Sequence, residues 1–425
     1  MFKTVKTISL CILLLLSIIQ PAIYSENIVI EDNIIYVGGS GEGNYTSIQE
    51  AINNAQNNWI IYIYPTIYNE NIVLDKSISI IGLIIDDKRP LIIGEEDKPT
   101  INITSNNCTI QNLSIANRNE NNTIDLIIYS NNNRIEDDIF LNSETNLKLI
   151  NSSNNIIVNN EFNQSLNGII LSTSNYNLIE NNILILSEEE RIQGQGISLS
   201  SSNYNYLRNN TITSMEIYSN REFGIYLWIS CDNTISNNTI SGNNFGILIH
   251  SYSNSNNISY NMVYSNTAYG VSIQGGSSNI VKGNRIYDNK GGSGISILKS
   301  WSKNNIIVEN IIYNNPCGIQ VEGTKNTIKY NTINNNSRYG IYLNSWLSNC
   351  KRNIVEKNNL IDNNINAYFQ IKPFSLNKWY NNYWSDWNSK SPKPIYGKLL
   401  IPITPFFGLE IPWINFDTQP SLNPN

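Results

Sequence analysis

Apolar and polar residues alternate along this chain in short stretches that recur at a nearly constant interval. The first recurring pattern is an apolar residue, an Asn three positions on, and a second apolar residue at five. It runs through Ile157/Asn160/Phe162, Ile179/Asn182/Leu184, Leu207/Asn210/Ile212, Ile235/Asn238/Ile240 and Ile258/Asn261/Val263. It continues through Val281/Asn284/Ile286, Ile307/Asn310/Ile312, Ile328/Asn331/Ile333, Val355/Asn358/Leu360 and Trp379/Asn382/Trp384. Two earlier registers fit with substitutions, Ile135/Asp138/Phe140 and Ile110/Leu113/Ile115. Successive registers lie 21 to 28 residues apart, a mean of about 24.5 that falls in the solenoid range.

A second pattern runs half a period out of step: a Gly, then two apolar residues flanking a variable one. Examples are Gly168-Ile-Ile-Leu171, Gly196-Ile-Ser-Leu199, Gly224-Ile-Tyr-Leu227 and Gly246-Ile-Leu-Ile249. The same pattern starts at Gly270, Gly294, Gly318 and Gly340. Its period of two predicts strands whose residues two and four after the Gly point outward. Strands this short cannot stand alone. Stacked in coils, they put like residues in columns, fill one core and pair their backbones above and below. Glycine permits a bend that a Cβ would obstruct. Asn tolerates a left-handed bend, and its amide can bond to the Asn of the next coil. The expectation is an all-β, right-handed, single-stranded parallel β-helix of about a dozen coils.

The ends follow the same logic. Thr46-Ser-Ile-Gln49 and Ser47-Ile-Gln-Glu50 are overlapping capping boxes, and Ile48, Ala51, Ile52 and Ala55 share one face of a short helix. Such a helix covers the first coil, whose open edge invites aggregation. Strands follow at Trp59-Ile-Ile-Tyr-Ile-Tyr64, Asn71-Ile-Val-Leu74 and Ile78-Ser-Ile-Ile81. Trp379, Trp384, Trp387 and the Pro-punctuated stretch to Trp413 read as a closing cap. The domains expected are a signal peptide at 1–25, a cap with the first coils at 26–100, repeats at 101–390 and a cap and tail at 391–425.

Composition and charge then narrow the function. Asn makes up about 18% of residues, far above ordinary usage. Net charge is −6 with both signs scattered, so no basic stripe points to nucleic acid. Lys3 and Lys6 precede an apolar stretch from Ile8 to Ile19 too short to span a bilayer, and Pro21-Ala-Ile-Tyr-Ser25 supplies a processing region. Export to the cell exterior or envelope is expected, with no transmembrane segment after cleavage. Cys108, Cys231, Cys317 and Cys350 share no column of adjacent coils, so buried thiols are expected rather than disulfides. Eleven Asn-x-Ser/Thr sequons occur, Asn44, Asn102, Asn163 and Asn335 among them, and an exported chain can carry glycans there.

Three segments carry a resemblance. Tyr45-Thr-Ser-Ile-Gln-Glu-Ala-Ile52, Tyr68-Asn-Glu-Asn-Ile72 and Ser77-Ile-Ser-Ile-Ile-Gly82 resemble the entry of pectin-lyase-like β-helix proteins. The Asn-x-Ile and Gly-Ile coils resemble the NosD-type branch, a domain shared by carbohydrate-binding proteins and sugar hydrolases. Asn382-Tyr-Trp-Ser-Asp-Trp387 resembles the segment closing many archaeal members. The resemblance covers roughly residues 33–390 and implies fold more than activity. Copper delivery, for which some members are named, needs soft or imidazole ligands. Beyond the first 25 residues this chain holds one His, His250, and two Met, Met215 and Met262.

Lyases of the superfamily hold calcium with acids and use an Arg base, and galacturonases converge Asp carboxylates. On the Gly-Ile strands only Glu322 is acidic among the outward positions. Other columns hold Glu136, Asp137, Asp138, Glu161 and Glu180 in three adjacent coils; they read as a solvated negative patch beside an Asp substituting for a ladder Asn, with no Arg in register beside it, and a calcium-binding patch is the alternative. Glu188-Glu-Glu190 reads as a loop charge run. No catalytic residue, metal or cofactor is expected. The sharper signal is aromatic: Tyr226 and Trp228 point out of one coil, with Leu248 and His250 beneath them and Tyr252 just beyond. Most coils take 11 to 13 residues from the Asn-pattern strand to the next Gly, but those reaching Gly196 and Gly224 take 17. The surplus, around Ser187–Gln195 and Ser214–Phe223, predicts raised loops beside the patch. Aromatic rings between such loops suit the flat faces of sugars. The expected partner is a polysaccharide or glycan, bound by a monomer through Tyr226, Trp228, Leu248, His250 and Tyr252. An unrecognised lyase or hydrolase, and a structural module of the cell envelope, are the rivals.

Overall fold

Three ladders of short parallel strands wind around one core, each coil giving one strand to each ladder. The computed structural model describes residues 33–95, 98–118, 123–141, 143–187, 194–214, 223–345, 349–402 and 408–425. Ile34–Asn425 form one compact unit. The expected signal peptide and Glu188-Glu-Glu190 lie outside the described residues, as does Met215. Among the described residues no helix is long and apolar enough to cross a membrane.

One coil shows the plan. Ile156–Val158 lies in the first ladder, Glu161–Ser165 in the second and Asn167–Ser172 in the third. They pair in parallel with Leu178–Glu180, Ile183–Leu186 and Gln195–Ser200 of the next coil. The second ladder stacks fourteen strands, from Ile67–Asn69 to Tyr383–Trp384. The two coils beyond the dozen counted from spacing are the first ones, where Tyr68 and Ile92 hold the column before the Asn pattern starts. Alternation puts one column inside: Ile135, Ile157, Ile179, Leu207 and Ile235 are all fully buried. Phe140 and Phe162 stack there at 4.7 Å. Each such side chain contributes about 1.5–3 kcal/mol of burial, which the isolated three-residue strand could never collect.

The Asn column is a hydrogen-bond ladder, as its spacing predicts, but the bend is made elsewhere. The left-handed residue is the one before it: Asn159, Asn181, Asn209 and Asn237 have φ of 56–58°. The ladder Asn turns inward instead. Asn182 Oδ1 accepts from the backbone N–H of Asn160 at 2.9 Å and from its Nδ2 at 3.1 Å. Asn182 Nδ2 donates to the Ile157 carbonyl and to Asn210 Oδ1, both at 3.0 Å. Every polar atom of the buried amide is thus used. The series runs one way, from Asp138 through Asn160 and its successors to Asn382. It ends on Asp417, whose Oδ2 accepts from Asn382 N–H, Asn382 Nδ2 and Trp384 Nε1 at 2.9–3.1 Å.

Two further Asn ladders lie outside the apolar-Asn-apolar spacing. One occupies the bend between third and first ladders, from Asn133 through Asn155, Asn177 and Asn205 to Asn377. The other, shorter, joins second to third from Asn243 through Asn266 and Asn289 to Asn363. The glycine column lies in the third-ladder strands, where a side chain would run into the next coil. A Cβ on Gly224 would fall 2.4 Å from Ile240 Cγ2 and 2.6 Å from the Gly246 carbonyl oxygen.

At the N-terminal end the helix spans Ile48–Asn54, with Ser47 accepting from Glu50 N–H at 3.2 Å and Ile48, Ala51 and Ile52 buried. Glu70 accepts from Ile48 N–H at 2.9 Å and Gln49 N–H at 3.0 Å, placing a carboxylate on the helix's free donors. At the other end Trp379 and Trp384 close the core, 6.2 Å apart. Beyond them Lys393–Pro402 and Gly408–Asp417 form an antiparallel hairpin. The four described cysteines are unpaired; Cys108, Cys317 and Cys350 are buried, whereas Cys231 is partly exposed.

Candidate functional site

The outward columns of the third ladder carry the aromatic candidates. Phe223–Trp228 pairs with Phe245–His250, setting Tyr226 beside Leu248 and Trp228 beside His250, as the spacing predicts. Trp228 is 41% exposed. The Tyr226 and His250 rings lie 6.3 Å apart, tilted by 40°. Ser251 Oγ is 2.9 Å from His250 Nδ1. Burial, then the charge of Lys299, lowers the His250 pKa below its ordinary value. A neutral ring that accepts or donates hydrogen bonds is therefore what this face presents near neutral pH.

Leu248 sits differently from expectation, whereas Tyr252 stands just beyond the strand as expected. Leu248 is only 5% exposed, because bulky outward residues flank it on its own strand and the preceding one; it floors the patch rather than touching a ligand. Tyr252 is 70% exposed at φ 60° on the bend beyond the strand, and its ring joins none of the ring pairs among the described residues. The raised loops expected at 187–195 and 214–223 fall mostly on 188–193 and 215–222, outside the described residues.

Further rings adjoin the five candidates, with Phe223 among them buried beneath its neighbours. Phe223, Phe245 and Tyr269 form a further outward column one position before the glycines, with centroid separations of 5.5 and 5.2 Å. Trp301 lies over Gly275, where a Cβ would come within 2.4 Å of its Nε1. Tyr339, Tyr342 and Tyr368 cluster farther along, with Tyr339 and Tyr368 stacked at 5.2 Å. The position before each Gly lies outside the four-residue Gly pattern, which therefore does not mark this aromatic column.

The acidic patch resolves into pairs. Arg134 holds Glu136 at 2.7 Å, and Arg208, in register with Glu180, holds it at 2.7 Å. This corrects the expectation that no Arg lies in register beside the patch. Asp138 is not outward but fully buried in the Asn ladder. Among the described residues no three His, Cys, Asp or Glu side chains gather in a metal-binding group. Glu322, on the third-ladder face, accepts from Gln320 Nε2 at 3.2 Å and Asn344 Nδ2 at 3.1 Å, and burial raises its carboxyl above the usual range.

Stacked parallel coils with three ladders of short strands define a parallel β-helix. A family model described as "Right handed beta helix region" matches residues 187–326 and 290–383. Among solved structures, the Dettilon tailspike protein aligns at TM-score 0.58 and 16% identity over 78% of this chain and 69% of its own. The catalytic domain of a GH87 α-1,3-glucanase in complex with nigerose aligns at TM-score 0.50 and 18% identity, over 82% and 69%. The A-module of an Azotobacter vinelandii mannuronan C-5 epimerase aligns at TM-score 0.50 and 15% identity, over 78% and 93%. At these identities the likeness is one of fold. A comparison with curated proteins gives no match.

Proposed function

We propose that this chain is an exported β-helix protein that binds polysaccharide or glycan along the outer face of its third ladder. The observation that carries the reading is the patch itself: Trp228, 41% exposed, stands in register with His250 and beside Tyr226 on a rigid strand. Rings held by a packed scaffold lose little freedom on binding a flat sugar face. The NosD-type resemblance, whose domain serves carbohydrate-binding proteins, points the same way. So do the glucanase and epimerase, whose own partners are saccharides. Localisation at the cell exterior or envelope belongs to the same proposal and rests on the charged and apolar pattern of residues 1–25.

The test is affinity electrophoresis or a glycan array with wild type and Trp228→Ala. Loss of one stacking ring weakens binding about tenfold. Equal retention of both proteins on every glycan that holds the wild type refutes the role of this patch. The second reading, an enzyme, draws on Glu322, a carboxyl that burial raises above its ordinary range on the same face. New reducing ends or unsaturated products from pectate or alginate, with and without calcium, favour that reading over binding alone.

A further inference from the structure

The aromatic column before the glycines is interrupted. Phe223, Phe245 and Tyr269 are followed by Ser293 and Cys317 before bulk returns at Tyr339. Tyr269 and Tyr339 stand three coils apart, or about 14 Å at the usual strand spacing. Between them lies a cavity of about 220 Å³ with Gly291, Gly292, Ser293 and Cys317 at its base and Tyr342 on its wall. Glycine shapes it: a Cβ on Gly292 would sit 2.5 Å from Tyr269 Cε1, so only Gly lets that ring lie along the edge. The volume is below the ~300 Å³ of pockets that enclose drug-sized ligands, which suits one ring of a longer chain.

Arg338 stands at the lip. Its guanidinium lies 5.6 Å from the Tyr339 ring centre, and it makes no ion pair among the described residues. Arg134 and Arg208, by contrast, are engaged by Glu136 and Glu180. A guanidinium steadied on a ring at the mouth of a ring-sized slot offers a fork of donors to an anionic group.

We infer that this notch is a second saccharide subsite, taking a sugar unit that carries an anionic substituent, carboxylate or sulfate, with Arg338 as its partner. The inference rests on the reading of the third-ladder face as a glycan-binding surface. The notch and the Trp228 patch then lie on one face about five coils apart, some 24 Å along the axis, at opposite ends of the third-ladder strands, so that a polymer crossing both runs obliquely over the coils. A single extended polymer contacts both.

The test is affinity electrophoresis of wild type, Arg338→Gln, Arg338→Lys and Trp228→Ala in gels containing polygalacturonate, carrageenan or dextran. Arg338→Gln is expected to weaken retention by an acidic polymer about tenfold, to reduce its salt dependence and to leave retention by dextran unchanged. Arg338→Lys retains part of the effect. Preference for polygalacturonate assigns a carboxylate, and preference for carrageenan a sulfate. Equal retention of wild type and Arg338→Gln on the acidic polymers, or an equal loss on dextran, overturns the inference. If Trp228→Ala alone loses retention, the face binds glycan and only the notch is wrong. If the wild type is retained by no polymer, both fall.

Discussion

Replacing Asp138 by Asn should stabilise the protein, and the gain should grow with pH. Asp138 stands where the next ten coils carry a ladder Asn. Its Oδ1 accepts from Leu113 N–H at 2.8 Å, but its buried Oδ2 has no partner. In Asn160 the matching atom is Nδ2, which donates to the Ile135 carbonyl at 3.0 Å. An Asn at 138 would make the same bond to the coil before it. A buried polar atom left without a partner costs about 1–3 kcal/mol, and that is the expected gain at neutral pH. Burial pushes the Asp138 carboxyl well above its ordinary value, the hydrogen bond from Leu113 opposing the shift. The folded chain therefore keeps a proton that the unfolded chain releases above about pH 3.9. Stability from this group is complete below that pH and is lost as pH rises toward the folded value. The Asn variant has no such loss. Buried Asp125, also raised, is common to both chains and cancels in the difference. Because coils can open separately, the assay is native-state hydrogen exchange at Leu113 and neighbouring amides, beside urea denaturation, at pH 3.5 and 7. A neutral or destabilised variant at pH 7, or a gain independent of pH, refutes the account.

Three other outcomes follow from the same geometry. Asp417→Ala removes the acceptor of Asn382 N–H, Asn382 Nδ2 and Trp384 Nε1; it should cost about 3–5 kcal/mol, seen as a lower urea midpoint. Gly224→Ala should destabilise by at least 1–3 kcal/mol, roughly the cost of overpacking, with a falling melting temperature as the measure and an unchanged one as refutation. Among the four described thiols, Cys231 should react first with an aromatic disulfide reagent. Cys317, pushed up to about 12 by burial, should react only on unfolding.

Much of the fold was legible because a solenoid repeats its physics. One apolar column per ladder, marked by Ile157, Phe162 and Ile169 in one coil, is enough to define the coil and its register. The second Asn ladder was equally visible in principle, since Asn155, Asn177 and Asn205 each precede the first-ladder core residue by two positions. In a chain this rich in Asn, a pattern anchored on the residue three after the core hid the one two before it. The site was legible only in part. Parity along the strand put Tyr226, Trp228 and His250 outside, but the burial of Leu248 depends on the bulk of neighbours flanking it. The notch depends on small residues in two successive coils, a signal that becomes visible only once the column through Tyr269, Ser293, Cys317 and Tyr339 is known.

The one-way Asn ladders also give the solenoid an electrical direction. In each, Oδ1 faces the preceding coil and an amide N–H faces the following one, so amide dipoles add along the axis instead of cancelling. The sum is negative toward the first coils and positive toward the last, as in a helix turned end for end. The two aspartates that end the longest ladder lie at opposite poles of that field. Asp417 meets the positive end by accepting four hydrogen bonds, three of them at one oxygen. Asp138 sits at the negative end, where a second negative charge is least welcome, and burial already pushes its carboxyl above the ordinary range.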